Sequence, residues 1–167
     1  MIERMITMAQ GVPQELLLIH LEVGEDITEG ILKACKEHGV QDGYVLGATG
    51  KLSVANVFTA APIGVKDGKL LFGYMDEPIP FGGLLGAPCL NNIEGVLCRM
   101  EDTSETALHM HYSFSDPDGF ARGGHLPGKN LALEDVTIMV GVISKVDMVR
   151  KWDDSVNIFV FAPQQKD

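Results

Sequence analysis

The stretch that most constrains the fold is Leu108–Leu126, which reads LHMHYSFSDPDGFARGGHL. In its first half, large apolar residues alternate with small or polar ones, which is the period of a strand with one buried face. The apolar positions are Leu108, Met110, Tyr112 and Phe114. The other face carries His109 and His111, and the tetrapeptide Asp116–Gly119 that follows has the proline and glycine of a tight turn. The stretch therefore predicts a β-hairpin with two imidazoles on one face.

A third histidine, His125, lies in the second strand of this hairpin. If the strands pair directly on either side of the turn, His125 lies opposite Met110 on the apolar face. A one-residue bulge moves it to the face of the other two histidines, because a shift of one residue exchanges the faces of a strand. Gly119 and Gly123-Gly124 are the places where such a bulge forms most easily. We therefore expect three imidazoles to converge.

Three converging imidazoles at this spacing predict a divalent metal site held by His109, His111 and His125, with zinc as the expected ion. Three neutral ligands leave a fourth position for water or a small molecule, the arrangement of catalytic rather than structural zinc. No cysteine lies near these histidines in the sequence. Two other interpretations remain open: polar surface histidines, or a hydrogen-bonding cluster at a subunit contact.

Several nearby residues have both a functional and a structural interpretation. Arg122 can bind an anion beside the metal, although a solvated charge is the favoured interpretation. Glu134 and Asp135 can act as a general base or hold a ligand histidine, and they can equally be ordinary strand-edge acids. Gly123-Gly124 can cradle a phosphate, but room for a neighbouring backbone is favoured. Trp152 is interpreted as a partly exposed loop aromatic.

Composition limits the classes of function. The chain has 167 residues and a net charge of −10, with 13 basic against 23 acidic side chains. We expect one domain over residues 1–167, and the charge argues against direct nucleic-acid binding, which depends on Lys and Arg at phosphates. The three cysteines show no CxxC spacing and predict reduced, buried thiols. Neither a signal peptide nor a membrane span is recognised, so a cytoplasmic protein is expected.

The remaining pattern predicts an α+β fold with one principal helix. That helix begins after Asp26, a good N-cap with Glu29 three residues later, and ends at His38-Gly39. An Asp67-Gly68 hairpin turn is also expected. The strands are predicted at Glu15–Val23, Tyr44–Thr49, Leu52–Thr59, Ile93–Met100, Leu133–Ser144 (buried on both faces) and Val156–Phe161. The stretch Pro78–Pro88, with three prolines and three glycines, is predicted to be irregular and is a plausible subunit contact.

The chain resembles the PPC (plants-and-prokaryotes conserved) domain family in three stretches taken in order. They are Gly24–Ile27 at the start of the helix, Val45–Ser53 after it, and the run from His109 to Leu126. The sequence departs from the family pattern after His125, at Pro127–Lys129 and at Glu134-Asp135. The resemblance implies an α/β sandwich-like domain with a strongly bent, antiparallel-rich mixed sheet, assembled as a homotrimer.

The resemblance also bears on function. Stand-alone prokaryotic members often carry a DNA-binding name, and the plant members contain AT-hook motifs, which this chain lacks. The domain is also distantly similar to acetolactate decarboxylase, which holds zinc with an HxH pair and a downstream histidine. That similarity implies a metal at His109, His111 and His125 without transferring the reaction. Two functions follow as expectations. One is a metal-binding homotrimer with a regulatory or assembly role; the alternative is a metal-dependent lyase or hydrolase for a small carbonyl or ester substrate.

Overall fold

The computed structural model describes residues 8–74, 78–82 and 86–166 of the chain. In these ranges the chain forms thirteen strands and one helix. They are β1 (Val12–Leu21), α1 (Ile27–Glu37), β2 (Gly43–Val57), β3 (Ala60–Lys66), β4 (Lys69–Tyr74), β5 (Ile79–Gly82), β6 (Cys89–Met100), β7 (Thr106–Ser115), β8 (Ala121–His125), β9 (Leu131–Ser144), β10 (Val146–Asp147), β11 (Val149–Asp153), β12 (Ile158–Phe161) and β13 (Gln164–Gln165).

Nine of these strands form one mixed sheet in the order β1-β9-β2-β6-β11-β12, with β5 paired to β2, β7 paired to β6, and β8 paired to β7. Most neighbours are antiparallel, whereas β6 and β11 are parallel. The predicted antiparallel-rich mixed sheet with one principal helix is therefore confirmed. The fold contains more sheet than an α/β sandwich, because α1 is the one helix found in the described ranges.

The predicted helix is confirmed at both ends. The Asp26 carboxylate accepts a hydrogen bond of 3.0 Å from the backbone N–H of Glu29, which satisfies a donor of the first turn. At the other end the backbone N–H of His38 donates to the helix, and Gly39 adopts a φ of +70°. The side of the helix that faces the sheet is fully buried at Ile27, Ile31 and Cys35.

The predicted apolar face of the first hairpin strand is part of the main core. Met110, Tyr112 and Phe114 of β7 are buried together with the helix and with β9. Because side chains alternate along a strand, the burial of this face directs the intervening histidines to the opposite side of the sheet. None of the described residues belongs to a helix long and apolar enough to cross a membrane.

Two strand predictions are wrong in the region after the helix. β2 is continuous, although a break was predicted at Gly50-Lys51. Register shifts on either side of Lys51 and a φ of +140° at Gly50 show that this glycine forms a bulge inside one strand. The predicted irregular segment Pro78–Pro88 contains β5, which pairs with the end of β2, while its residues 83–85 lie outside the described ranges.

Three other predictions concern the hairpin of β3 and β4, the burial of β9 and the last strands of the chain. The Asp67-Gly68 turn is confirmed, with φ values of +52° and +77° between β3 and β4. β9 was predicted to be buried on both faces. Instead Ile138 and Val140 are fully buried while Met139 between them is 39% exposed, so one face of β9 is open in the single chain. The predicted final strand is confirmed as β12, and the two-residue strand β13 follows it.

Candidate metal centre

The turn between β7 and β8 determines the register of the hairpin. The backbone N–H of Gly119 donates to the Asp116 carbonyl, and the N–H of Asp116 donates to the Phe120 carbonyl, both at 2.9 Å. Gly119 has a φ of +83°, which is the left-handed conformation of the glycine in a G1 bulge. The Asp116 carboxylate also accepts the N–H groups of Asp118 and Phe120. The turn therefore contains the one extra residue that the histidine arrangement requires.

Beyond this turn the ladder is regular. Ser115 pairs with Ala121, and four pairs further along His111 lies directly opposite His125. Direct pairing across a shorter turn would have placed His125 opposite Met110. The predicted one-residue shift is thus present, at Gly119 rather than within the strand.

The three imidazoles form a compact cluster. The ring centroids of His109 and His111 are 5.1 Å apart, those of His109 and His125 are 4.9 Å apart, and those of His111 and His125 are 5.6 Å apart. One ring nitrogen of each histidine lies within 4.8 Å of a ring nitrogen of the others. A tetrahedral zinc ion needs ligand nitrogens about 3.3 Å apart, so small rotations of the rings would suffice.

The electrostatics of the cluster favour neutral imidazoles. Burial, and to a smaller extent the positive charge of Arg150 and the two other histidines, together lower the pKa of His109 to about 4. Burial also lowers the pKa of His125, followed by the effects of His111 and Arg150. Both rings are therefore neutral at pH 7, which is the form that binds a metal ion.

The residues present fit a bound metal ion. The Nδ1 atom of His109 is buried, and among the described residues it has no hydrogen-bond partner. Such a buried polar atom is costly when it is left unsatisfied, and coordination of a metal ion would satisfy it. His111 is exposed, so the cluster is open on one side. An all-imidazole donor set of this kind suits zinc.

Glycines next to His125 provide room for a neighbouring backbone. A Cβ atom at Gly123 would overlap the Tyr112 carbonyl oxygen, and one at Gly124 would lie 2.9 Å from the Phe58 carbonyl oxygen. Phe58 and His125 exchange two backbone hydrogen bonds of 3.0 Å. β8 is thus held between β7 and the residue that follows β2. This agrees with the structural interpretation of the two glycines and fixes the backbone of the third histidine.

The side chain of Arg122 is used within the hairpin. Its Nε donates to the Asp116 carboxylate at 2.8 Å, and its guanidinium carbon lies 5.7 Å from the centre of the Phe81 ring and 5.5 Å from that of Phe120. These contacts connect the turn to β8 and to β5. They agree with neither predicted role, since the charge is paired rather than simply solvated.

The two predicted acids lie elsewhere in the sheet. The Glu134 carboxylate forms an ion pair of 2.6 Å with Lys51, and Asp135 occupies an irregular position with a φ of +47°. Both belong to β9, and β2 and β6 separate β9 from β7 in the strand order. The structure does not bring these acids to the histidines.

Two charged residues near the cluster were missed by the sequence analysis. Glu94 of β6 pairs with His111 of the neighbouring strand β7. Glu94, His109 and His111 all line one surface cavity of about 460 Å³. Arg150 of β11 is close enough to affect the pKa values of His109 and His125. Glu94 lies within the predicted strand Ile93–Met100. That it faces His111 follows only from the register of β6 against β7.

Comparison with known proteins identifies the family. The sequence profile of the Plants and Prokaryotes Conserved domain (PCC, also written PPC) matches residues 8–144. No functionally curated protein matches the chain.

Solved structures share the fold. A metal-containing protein from Archaeoglobus fulgidus is 17% identical with a TM-score of 0.71, covering 93% of this chain and 99% of the other. A PPC protein from Pyrococcus horikoshii is 17% identical with a TM-score of 0.69, covering 93% and 97%. A Bacteroides thetaiotaomicron protein, provisionally named DNA-binding, is 16% identical with a TM-score of 0.67, covering 90% and 96%. Since the family profile covers most of its length, the chain belongs to the Plants and Prokaryotes Conserved domain family.

Proposed function

We propose that this protein is a metal-binding PPC-domain protein that holds one zinc ion per chain through His109, His111 and His125, with residues 1–167 acting as one domain. The observation that carries the proposal is the cluster of three ring nitrogens within 4.8 Å, produced by a regular hairpin. The metal content named for the Archaeoglobus fulgidus protein of the same fold supports it.

The chain's own residues would prepare the site in two ways. The G1 bulge at Gly119 and the backbone bonds to Phe58 fix the strand that carries His125. Burial keeps the His109 ring neutral, so a metal ion does not have to compete with a proton at pH 7. When bound, zinc would supply a Lewis acid with an open coordination position.

We propose a homotrimer with a regulatory or assembly role as the working form. A row of paired residues crosses the outer face of the sheet: Leu16, Gly141, Tyr44, Val96 and His109. Large apolar side chains at the β1 end of this face are exposed, with Leu16 at 53% and Leu18 at 68%. An extended apolar surface of this kind marks a protein contact more often than a free surface. The number three comes from the family resemblance, and contact across this face would bring subunits close to the histidines.

Direct contact with DNA does not form part of the proposal. The net charge of −10 opposes the phosphate backbone, and any role near DNA would act through a partner protein. A gel-shift measurement at physiological salt tests this view. We expect no shift of duplex DNA at micromolar protein, and a salt-dependent shift would contradict it.

A second candidate function is a metal-dependent lyase or hydrolase for a small carbonyl or ester. The observation that favours it is the position of Glu94, whose carboxylate shares a cavity with His109 and the exposed His111. Glu94 would hold or transfer a proton at a substrate bound in this cavity. Turnover of small oxo-acids and esters that depends on zinc and is lost in Glu94→Gln would support the enzyme. An absence of turnover with the zinc-loaded protein would favour the non-enzymatic role.

The metal content of the purified protein tests the primary proposal. We expect about one zinc ion per chain, lost in His111→Ala because two imidazoles bind far more weakly than three. His20→Ala is the matched control, since His20 is an exposed strand histidine on β1. Equal and negligible metal in all three proteins would contradict the proposal.

A further inference from the structure

We propose that the metal centre receives a small carboxylate with an apolar tail, and that Arg150 binds its carboxylate while Tyr44, Leu46 and Phe161 contact the tail. This inference rests on the proposed zinc site and names the class of ligand that completes it.

The strand pairing places Arg150 on the same face of the sheet as the histidines. Arg150 lies opposite Phe161 in the β11–β12 pair, and residues directly opposite each other share a face. Phe161 lines the cavity that also contains His109 and His111. Arg150 also lies beside Met100 of β6. Met100 is four residues from Val96 and therefore on the same face of β6, and Val96 pairs with His109. Two independent pairings therefore direct the guanidinium to the cavity side.

The charge of this region favours an anion. Three neutral imidazoles bring no negative charge, so the charge of a bound divalent ion adds to that of Arg150, and Glu94 offsets one unit of it. Arg150 lies on the same face of the sheet as His109, so its positive charge adds to that of the bound ion. A carboxylate placed between the ion and the guanidinium would neutralise this positive region.

The guanidinium of Arg150 is available for an anion. In the described part of the chain, Arg99 and Arg122 form ion pairs with Asp147 and Asp116, whereas Arg150 forms none with a carboxylate. One Arg150 nitrogen donates to the Phe159 carbonyl at 3.1 Å, and the guanidinium lies 5.8 Å from the centre of the Phe159 ring. These contacts orient the group while leaving other N–H donors of its planar fork for a ligand.

The walls of the cavity fit an apolar tail. Tyr44, Leu46, Val96 and Phe161 contribute aromatic and branched side chains around a volume of about 460 Å³. Mostly apolar walls with a few polar groups at one end are typical of small-molecule sites. Trp152 packs edge-on against Phe159 at 5.1 Å and extends the aromatic surface along β11. Trp152 was predicted to be a loop residue, but it lies in β11.

Isothermal titration of the zinc-loaded protein with 4-methyl-2-oxopentanoate tests the inference, with the uncharged 4-methylpentan-2-one as the comparison ligand. We expect the oxo-acid to bind at least 10-fold more tightly than the ketone, and Arg150→Gln to remove most of this difference. Lys151→Gln is the matched control because it removes the same charge from the opposite face of β11. It is expected to bind both ligands as the parent protein does.

The outcomes separate this inference from the proposed metal site. Equal affinity of the parent protein for the acid and the ketone would overturn the inference, and this comparison does not depend on any variant folding. The inference would also fail if Arg150→Gln and Lys151→Gln had the same affinity for the acid. Zinc content is measured on the same samples. Absence of zinc would refute the proposed site, whereas zinc without binding of the oxo-acid would refute the carboxylate inference alone.

Discussion

A methyl group added at Gly124 should weaken zinc binding without touching a ligand. Its Cβ would lie 2.9 Å from the Phe58 carbonyl oxygen and 2.8 Å from a methyl carbon of Val57. Ordinary carbon contacts are about 3.5 Å or longer, so β8 would have to move by roughly 0.5 Å away from the end of β2. The carbonyl oxygen of Phe58 cannot rotate away, because it accepts a hydrogen bond from the His125 N–H while the Phe58 N–H donates to the His125 carbonyl.

This displacement exceeds what a metal site tolerates. Metal–ligand distances vary by about 0.2 Å, so the ion would hold His125 near its present position and the strain would remain. Overpacking of this kind costs about 1–3 kcal/mol. If the metal-free protein relieves that strain and the zinc-bound protein cannot, zinc affinity falls by about 5-fold to 150-fold.

Competition with a chromophoric chelator measures this effect on Gly124→Ala. Gly128→Ala is the matched control, since a Cβ atom there meets nothing within 4 Å and the backbone φ is not positive. We expect the control to bind zinc as the parent protein does. The reasoning would be refuted if Gly124→Ala bound zinc as tightly as Gly128→Ala while both remained folded.

Four further substitutions test the fold by urea denaturation. Asp26→Ala removes the helix N-cap and should lower the free energy of unfolding by about 1–2 kcal/mol; an unchanged midpoint would contradict the role of the cap. Tyr112→Phe removes a buried hydroxyl that donates to the Asn56 carbonyl at 2.8 Å, and it should cost about 1–2 kcal/mol while leaving zinc content unchanged. Ile138→Ala should cost about 2–5 kcal/mol because Ile138 is fully buried, whereas Val65→Ala on the exposed β3–β4 hairpin should change stability by less than about 0.5 kcal/mol. Similar losses for these last two variants would contradict the assigned core.

Local chemistry explains the features that were predicted correctly. The cap at Asp26, the turn at Asp67-Gly68 and the alternation along Leu108–Phe114 each depend on neighbouring residues in the chain, so their signals are complete within a short window. The hairpin of β7 and β8 was also recognisable, because the alternation predicts a strand and the residues that follow it predict a tight turn. The need for a one-residue shift followed from counting residues across the turn.

The errors come from pairings between distant parts of the chain. Gly50-Lys51 was interpreted as a break between two strands because the bulge at Gly50 depends on β9, which lies more than 80 residues away. β5 is too short and too rich in proline and glycine to be recognised without its partner β2. The open face of β9 could not be anticipated, because β-branched residues occur on both parities and their burial depends on what covers the sheet.

The charged residues around the histidines were also missed because their positions depend on pairings between distant strands. Glu94 and Arg150 reach the histidines only through the β6–β7 and β6–β11 pairings, and no spacing in the sequence indicates either contact. By contrast, Glu134 and Asp135 are near the hairpin in sequence, but two intervening strands, β2 and β6, separate them from it in the sheet. Sequence proximity therefore selected the wrong acid, although the three histidines were grouped correctly by one local hairpin.

Zinc K-edge X-ray absorption of the zinc-loaded protein tests the central claim most directly. The proposed site predicts three imidazole nitrogens at about 2.0 Å and one further light atom, and loss of imidazole scattering in His111→Ala. Cys35 and Cys98 are buried as predicted, but the Cys89 thiol is exposed and offers zinc a competing ligand. A sulfur scatterer at about 2.3 Å, or the same spectrum from His111→Ala and the parent protein, would contradict the claim.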